Sequence, residues 1–410
     1  MAPSPRSPNR PGSISRRPVV ITHALRTPIG RFLGAFADLS AADLGVSVVS
    51  DLLRRSGIDR GRVDELVFGN ARQAGGGPNV ARQVSVRAGI PETVPAYTVN
   101  MACGSGPKAV QLAAEAIAAG RCDVVVAGGT ESMSGLPFFL PKFRAGYRLG
   151  HARVVDAMYQ DGFDCPLAGM VMGATAEKLA VDLRISREEQ DAFALGSQQK
   201  ARAASDAGRF ADEISAVKIP SRKGEIVVER DEHPRPETTL ETLAKLPAVF
   251  DAKSGTVSAG NSSGITDGAA ALLVMAEETA RELGLEPLAW VGESAAAGVD
   301  PKTMGIGPVP AVRKLQDANG TAVGDYDLVE LNEAFAAQVL ACQRELDLPT
   351  DRLNVNGGAI ALGHPIGATG ARIVVTLLHE LRRRKGERGL ATLCISGGMG
   401  LATAFHRPGS

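Results

Sequence analysis

Two cysteines and one histidine stand where chemistry would use them. Cys103 lies in Asn100-Met101-Ala102-Cys103-Gly104-Ser105-Gly106, where a strand pattern breaks at glycines and an Ala-rich helical pattern begins. A thiol there sits at a helix N-terminus, where free backbone N–H groups lower its pKa. The helix end supplies only about 0.3–1 kcal/mol, less than one pKa unit at about 1.4 kcal/mol per unit. A thiol that starts near pKa ~8.5 therefore stays mostly protonated at neutral pH. As a nucleophile Cys103 needs a base, so a histidine is expected close to it in space. The plain alternative is a small buried cysteine at a sharp turn.

Of six histidines, His23, His151, His233, His379 and His406 stand in ordinary surroundings, where solvated or packed roles suffice. His364 differs. It lies in the glycine-rich segment Gly357 to Gly370, followed by Pro365, which allows an unusual backbone and close approach of a ligand. Cys394 ends an apolar run just before Ser396-Gly397-Gly398-Met399-Gly400, where it is either a buried strand residue or a second thiol of the site. Asn332, in Asn332-Glu333-Ala334-Phe335, ends another apolar run. It is placed to hold a water or an oxyanion, or to cap the next helix through an Asx turn.

Positioning these groups is the work of short strands alternating with longer helices, an α/β pattern with parallel strands and crossover helices. Val19 to Ile21, Val63 to Phe68, Asp123 to Gly129 and Gly268 to Ala276 read as strands. Ala41 to Ser56, closed by Gly57, and Lys108 to Ala119, closed by Gly120, read as helices. Ser186 to Ala207 reads as a helix with Ser186 as cap and Glu189 completing a capping box. The order repeats: Asp64 to Asn70 resembles Tyr326 to Asn332, Val99-Asn100 resembles Val355-Asn356, and Asp123 to Gly129 resembles Ala391 to Gly398. Two βαβα halves that stack their sheets against shared helices would bring the Cys103 turn to face the His364 turn. Residues 134–263 lack the repeat and read as an inserted loop domain. The expected division is a tail at 1–18, a first half at 19–133 plus 264–286, the loop domain at 134–263 and a second half at 287–410.

Composition narrows the classes. Lys plus Arg equals Asp plus Glu at 45 each, without the surplus positive charge that nucleic-acid binding rests on. No apolar run approaches the roughly 20 residues of a membrane span. Cys103, Cys122, Cys165, Cys342 and Cys394 are odd in number and sparse, so a disulfide framework is not expected and a reducing, cytoplasmic setting is. No His/Cys cluster has zinc-like spacing, and no metal is expected. The proline-punctuated tail reads as disordered, since its prolines would break the amphipathic helix of a transit peptide. The last residues carry no peroxisomal or retention tripeptide.

At these motifs the chain resembles the thiolase family. The resemblance rests on Asn-x-x-Cys-Gly-Ser-Gly at 100–106, Gly-Gly-x-Glu-Ser-Met-Ser at 128–134 and Asn-Glu-Ala-Phe-Ala at 332–336. It rests also on Gly-Gly-Ala-Ile-Ala-Leu-Gly-His-Pro-Ile-Gly at 357–367 and Cys-Ile-Ser-Gly-Gly-Met-Gly at 394–400. It runs from about residue 18 to 408. It implies the five-layered α-β-α-β-α fold of two repeated halves, an inserted loop domain for CoA binding and oligomerisation, and a homodimer or homotetramer. The activity implied is the reversible Claisen condensation of acyl-CoA within lipid and fatty-acid metabolism. Acyl-CoA and CoA are the substrates and products, and no separate cofactor is used.

Carried over by motif, Cys103 is acylated, His364 activates it and helps bind the thioester oxygen, and Cys394 exchanges the α-carbon proton. Asn332 positions a water beside His364, and the N–H groups of Cys103 and Ser396 form a second oxyanion hole. Arg235, Ala259, Gly260 and Ser263 resemble CoA contacts, and Met172, Met304 and Phe335 line the acyl pocket. Three residues depart from the family pattern. Pro107-Lys108 replaces Leu-Arg, Ser396 replaces Gly, and Val171 stands where short-chain members often carry His. The expected enzyme is an acetyl-CoA C-acetyltransferase. The alternatives are a longer-chain 3-ketoacyl-CoA thiolase, a ketosynthase-like condensing enzyme and a non-catalytic CoA- or lipid-binding protein.

Overall fold

In the computed structural model, which describes residues 17–222 and 224–407, the strands that frame the site are β1 (Val19–Arg26), β2 (Glu65–Gly69), β3 (Ala96–Val99), β4 (Val124–Glu131), β5 (Thr266–Ala276), β6 (Ala289–Gly298), β7 (Leu328–Leu331), β8 (Arg388–Ile395) and β9 (Met399–His406). They hydrogen-bond in the order β7-β8-β9-β6-β1-β5-β4-β2-β3. β2 runs parallel to β3 and β4, and β7 runs parallel to β8; the other neighbours are antiparallel. β4 and β5 are buried along their whole length, as continuous Val, Ala and Leu runs require when both faces are covered.

The repeat is visible in the pairing. The first half stacks β3-β2-β4-β5-β1, and the second stacks β7-β8-β9-β6, with Leu353 bridging Val329 where β3 would lie. The two sheets stack against shared helices as expected, and β1 and β6 join them at one edge into a single strand order. The join is narrow, with Val20 opposite Trp290 and Ile21 opposite Ala289. In the second half β8 turns into β9 through Ser396 to Gly398, and Gly397 and Gly398 take φ of 88° and 86°, which suits glycine. At the same place in the first half the chain leaves β4 and returns at β5 only after residues 132–265.

The helices used below are α1 (Ala41–Ser56), α2 (Val80–Arg87), α3 (Ser105–Ala118), α4 (Met172–Asp182), α5 (Arg187–Asp206), α6 (Pro308–Asn319), α7 (Ala336–Leu346), α8 (Ala359–Leu362) and α9 (Ile366–Arg384). α1 and α2 cover one outer face, packing Leu44, Val48, Leu52 and Val84 against Leu66, Phe68, Val126 and Leu273. α6 and α7 cover the opposite outer face, with Val312, Leu315 and Val339 against Val329, Leu390 and Ala402. α3 and α9 lie between the halves, where Ala109, Val110, Ala371 and Val375 pack with Val125, Leu272 and Ala391. Five layers result, and the middle one carries the start of both central helices. That middle layer is tight: a Cβ on Gly106 would lie 2.8 Å from the Ala371 nitrogen, and one on Gly370 would strike the Pro107 ring.

Local signals set most boundaries. Ser40 and Asp43 close a capping box on α1, and Gly57 ends it at φ 69°; Ser186 and Glu189 do the same at the start of α5. α3 starts at Ser105 rather than Lys108, because Pro107 is tolerated in a first turn. β2 starts at Glu65 rather than Val63, and β4 and β5 run past their expected ends to Glu131 and back to Thr266. Residues 1–16 of the expected tail lie outside the described residues. Arg17, inside that expected tail, pairs with Asp123 and Glu278. Among the described residues no helix is long and apolar enough to cross a membrane.

Candidate active site

The turn before α3 is built by its own motif. The Asn100 side chain accepts the Ala102 N–H at 3.0 Å and donates to the Ala71 carbonyl at 3.1 Å. Ser105 Oγ accepts the Met101 N–H at 2.9 Å and donates to the Ala102 carbonyl at 2.6 Å. Ala102 is thereby held at φ 48°, a left-handed conformation that costs a non-glycine residue about 1–3 kcal/mol. Gly104 has no room for a side chain, since a Cβ would lie 2.6 Å from Ile395 Cδ1. The result is a sharp turn that presents Cys103 just ahead of the helix.

His364 reaches the same place from the second half. Gly363 turns the chain at φ 102°, and the His364 N–H donates to the Gly264 carbonyl at 3.1 Å. Its ring Nδ1 lies 2.6 Å from Thr369 Oγ1, and that hydroxyl donates to the Pro365 carbonyl at 2.9 Å. A hydroxyl has one proton, so Nδ1 is assigned as the donor and Nε2 as the bare lone pair. Nε2 is buried and has no hydrogen-bond partner among the described residues. Cys394 sits on β8 opposite Gly400 of β9 and is fully buried.

Cys103, His364, Cys394 and Ser396 line one cavity of about 260 Å³, together with Val171, Met172, Met304, Phe335 and Ser263. Met172 opens α4, and Met304, Ala334 and Phe335 pack with it and with Cys394. Asn332 is not on this wall. It is buried at the end of β7 with neither Oδ1 nor Nδ2 bonded to a partner among the described residues. A buried side-chain amide is costly without a hydrogen-bond partner, by about 1–3 kcal/mol per unmet group, so a water is the natural partner at this position. Arg235, Ala259 and Gly260 line a separate groove of about 300 Å³. The segment Ser258 to Gly264 runs from that groove to the cavity, so the four CoA candidates divide between two adjoining spaces.

The electrostatics correct one expectation. Burial pushes the Cys103 thiol up, and only partly do the Arg72 guanidinium and the N–H groups of Ser396 and Cys103 pull it back. The thiol is protonated at rest, as expected, but its pKa moves up and not down, because desolvation outweighs the helix end. Burial raises the Cys394 thiol well above its ordinary value, with the neighbouring Cys103 adding to the shift. Burial holds the His364 imidazole down to about 3, aided by the Arg372 and Arg72 cations. The site therefore rests as two neutral thiols and a neutral imidazole, with no charge among the reacting groups.

Two residues escaped the sequence reading. Arg72 lines the cavity, 7% exposed, with Nη1 donating to the Asp161 carbonyl at 2.8 Å. Glu333 is buried and accepts from Ser197 Oγ at 2.6 Å, Asn354 Nδ2 at 2.9 Å and the Ile360 N–H at 3.2 Å, which ties β7 to α5 and to α8 just before His364. The signal for Arg72 was the repeat itself: Asn70-Ala71-Arg72 aligns with Asn332-Glu333-Ala334.

The depressed imidazole makes a testable contribution to stability. An unfolded imidazole titrates near ~6.5. Between about 6.5 and about 3 the unfolded chain binds a proton that the folded site refuses, so stability falls as pH drops through that window. Each unit is worth about 1.4 kcal/mol. Tm measured from pH 7 to pH 4 falls more steeply for the wild type than for His364→Gln. Parallel curves would rule out a buried neutral imidazole.

Comparison with known proteins follows the same lines. The thiolase N-terminal domain matches residues 19–278 and the thiolase C-terminal domain matches residues 285–407. The chain is 52% identical over 390 residues to an acetyl-CoA acetyltransferase of Pseudomonas aeruginosa, covering 95% of this chain and 99% of that one. The crystal structure of Bacillus anthracis acetyl-CoA acetyltransferase superposes with a TM-score of 0.94 at 46% identity, covering 96% of this chain and all of the other, at 100%. Human mitochondrial 3-ketoacyl-CoA thiolase in complex with CoA superposes with a TM-score of 0.92 at 42% identity, covering 95% and 98%.

Proposed function

The chain belongs to the thiolase family, and from that premise we propose that it is an acetyl-CoA C-acetyltransferase, joining two acetyl-CoA into acetoacetyl-CoA and CoA, and running the reverse thiolysis. The observation that carries the proposal is the convergence of two neutral thiols and an imidazole with a free Nε2 on one small cavity. His364 Nε2 takes the Cys103 proton as the sulfur attacks the thioester carbonyl. The N–H groups of Cys103 and Ser396 stabilise the oxyanion, and its collapse expels CoA, which regains the proton. Cys394 then passes its thiol proton to His364 Nε2 and, as thiolate, takes a proton from the α-carbon of a second acetyl-CoA. The enolate oxygen is held by His364 Nε2–H and by a water on Asn332. The enolate carbon attacks acetyl-Cys103, the C–S bond breaks, and Cys103 leaves as thiolate and takes its proton back from His364 Nε2.

A base so buried is suited to a weakly acidic C–H, because its charge is poorly solvated and its proton affinity high. Arg235, Ala259, Gly260 and Ser263 hold CoA in this reading, along the path from the outer groove to the cavity. The active form is a cytoplasmic homodimer or homotetramer.

Chain length is the finer question. A cavity of about 260 Å³ falls below the ~300–1,000 Å³ of pockets that take drug-sized ligands, which favours a short acyl group. The second reading, a longer-chain 3-ketoacyl-CoA thiolase, draws support from Val171, which leaves the wall beside Met172 and Met304 apolar. Initial rates of CoA-dependent cleavage decide between them. Acetoacetyl-CoA is expected to exceed 3-ketoacyl-CoA of C8 to C16 by at least about tenfold in kcat/KM, a difference of about 1.4 kcal/mol. Preference for the long chains overturns the short-chain assignment.

A further inference from the structure

We propose that Arg72 is the cation that makes the Cys103 sulfur reactive, acting across the cavity from the loop after β2. The inference rests on Cys103 being the acylated nucleophile. Arg72 is buried, lines the same cavity as Cys103, and makes no ion pair with a carboxylate within 4 Å among the described residues. Its Nε is buried without a partner, and the Phe163 ring lies 6.0 Å from its guanidinium carbon. A guanidinium carries a full positive charge, and this one faces an apolar space that also holds a thiol. That charge makes no ion pair with the neighbouring Glu131 carboxylate, although it acts on it through space, and it favours the anion that forms when the Cys103 thiol ionises.

Glu131 fixes this arrangement without cancelling it. The carboxylate is wholly buried at the end of β4. It accepts from Asn70 Nδ2 at 2.7 Å and from the N–H groups of Arg72 at 3.1 Å, Ala71 at 3.2 Å and Gly367 at 2.8 Å. Four donors satisfy it, and the Arg72 side chain is not among them. The same carboxylate thus pins the backbone of Arg72 and the first turn of α9, three residues past His364. It is a positioning residue that sets the cation and the base at fixed places around one sulfur, and its own charge moderates the effect of Arg72. The charged and titratable groups facing Cys103 are Arg72 from the loop after β2, Glu131 from β4, His364 from the turn before α9 and Cys394 from β8.

The ionisation of Cys103 tests this directly. Alkylation of the purified full chain by iodoacetamide is followed from pH 7 to pH 11.5, and modification of the Cys103 peptide is read by mass spectrometry. Arg72→Met and Arg72→Gln raise the midpoint of Cys103 alkylation by about one pH unit or more, whereas Arg72→Lys returns it toward the wild-type value. The midpoint of the Cys394 peptide moves less. Both neutral variants also lose kcat with KM for acetoacetyl-CoA little changed. An unchanged Cys103 midpoint in Arg72→Met and Arg72→Gln, each shown to be folded by thermal melting, overturns the proposal. No acyl-CoA takes part in alkylation, so this failure is separable from failure of the acetyltransferase reading, which full activity of Cys103→Ala would expose.

Discussion

Replacing Cys103 by alanine lowers the rate of acetoacetyl-CoA thiolysis by on the order of 10⁴- to 10⁶-fold, as loss of the covalent nucleophile does elsewhere. The backbone of the turn is held by Asn100 and Ser105 and not by the sulfur. The variant therefore keeps its fold, and its Tm stays close to that of the wild type. Two readouts check this. One is the initial rate of CoA-dependent cleavage; the other is the intact mass after incubation with acetyl-CoA, which gains one acetyl group in the wild type and none in the variant. A residual rate within about tenfold of the wild type removes Cys103 from the chemistry.

Cys394→Ala separates the two half-reactions. Acylation of Cys103 needs His364 and the N–H groups of Cys103 and Ser396, all of which remain. Proton removal from the α-carbon needs a base, and positioned acid–base groups supply about 10²- to 10⁴-fold. The variant is expected to acquire the acetyl group on Cys103 from acetyl-CoA and yet to lose condensation by that factor. Hydrogen–deuterium exchange at the methyl of acetyl-CoA falls in parallel. A variant that condenses at the wild-type rate would point to a one-cysteine condensing enzyme, the ketosynthase-like alternative. Removing a fully buried sulfur leaves a small void beside Met172 and Met304, so a modest loss of stability accompanies the loss of rate.

The parts legible in the sequence were those governed by local rules. α1 was marked by its apolar face and by Gly57, and α5 to within a residue by Ser186 with Glu189, because caps and capping boxes act over one turn of chain. The repeat was legible through β2 and β7 and through the Gly-rich turns before α3 and α9. Its consequence, that Cys103 and His364 share a cavity, follows from symmetry alone. What the chain conceals is burial. The Cys103 thiol was expected to be lowered by its helix and is raised by its surroundings, since desolvation depends on side chains contributed by distant segments. Arg72 was hidden for the same reason: an arginine beside polar loop residues looks solvated until the Asp161 and Phe163 segment closes over it. The join of β1 to β6 rests on two residue pairs and leaves no periodic trace.

β9, the latest of these strands in sequence, is not at an edge. It lies between β8 and β6 and completes both ladders. During synthesis on the ribosome the second half therefore carries two unpaired, apolar strand borders until residue 406 has emerged, a state in which strands of different nascent chains can join. The reactive pair of sulfurs is assembled at the same late moment, because the turn that carries Ser396 is drawn shut only when β9 docks. Catalytic competence and protection from aggregation thus depend on one event, the docking of β9 between β8 and β6.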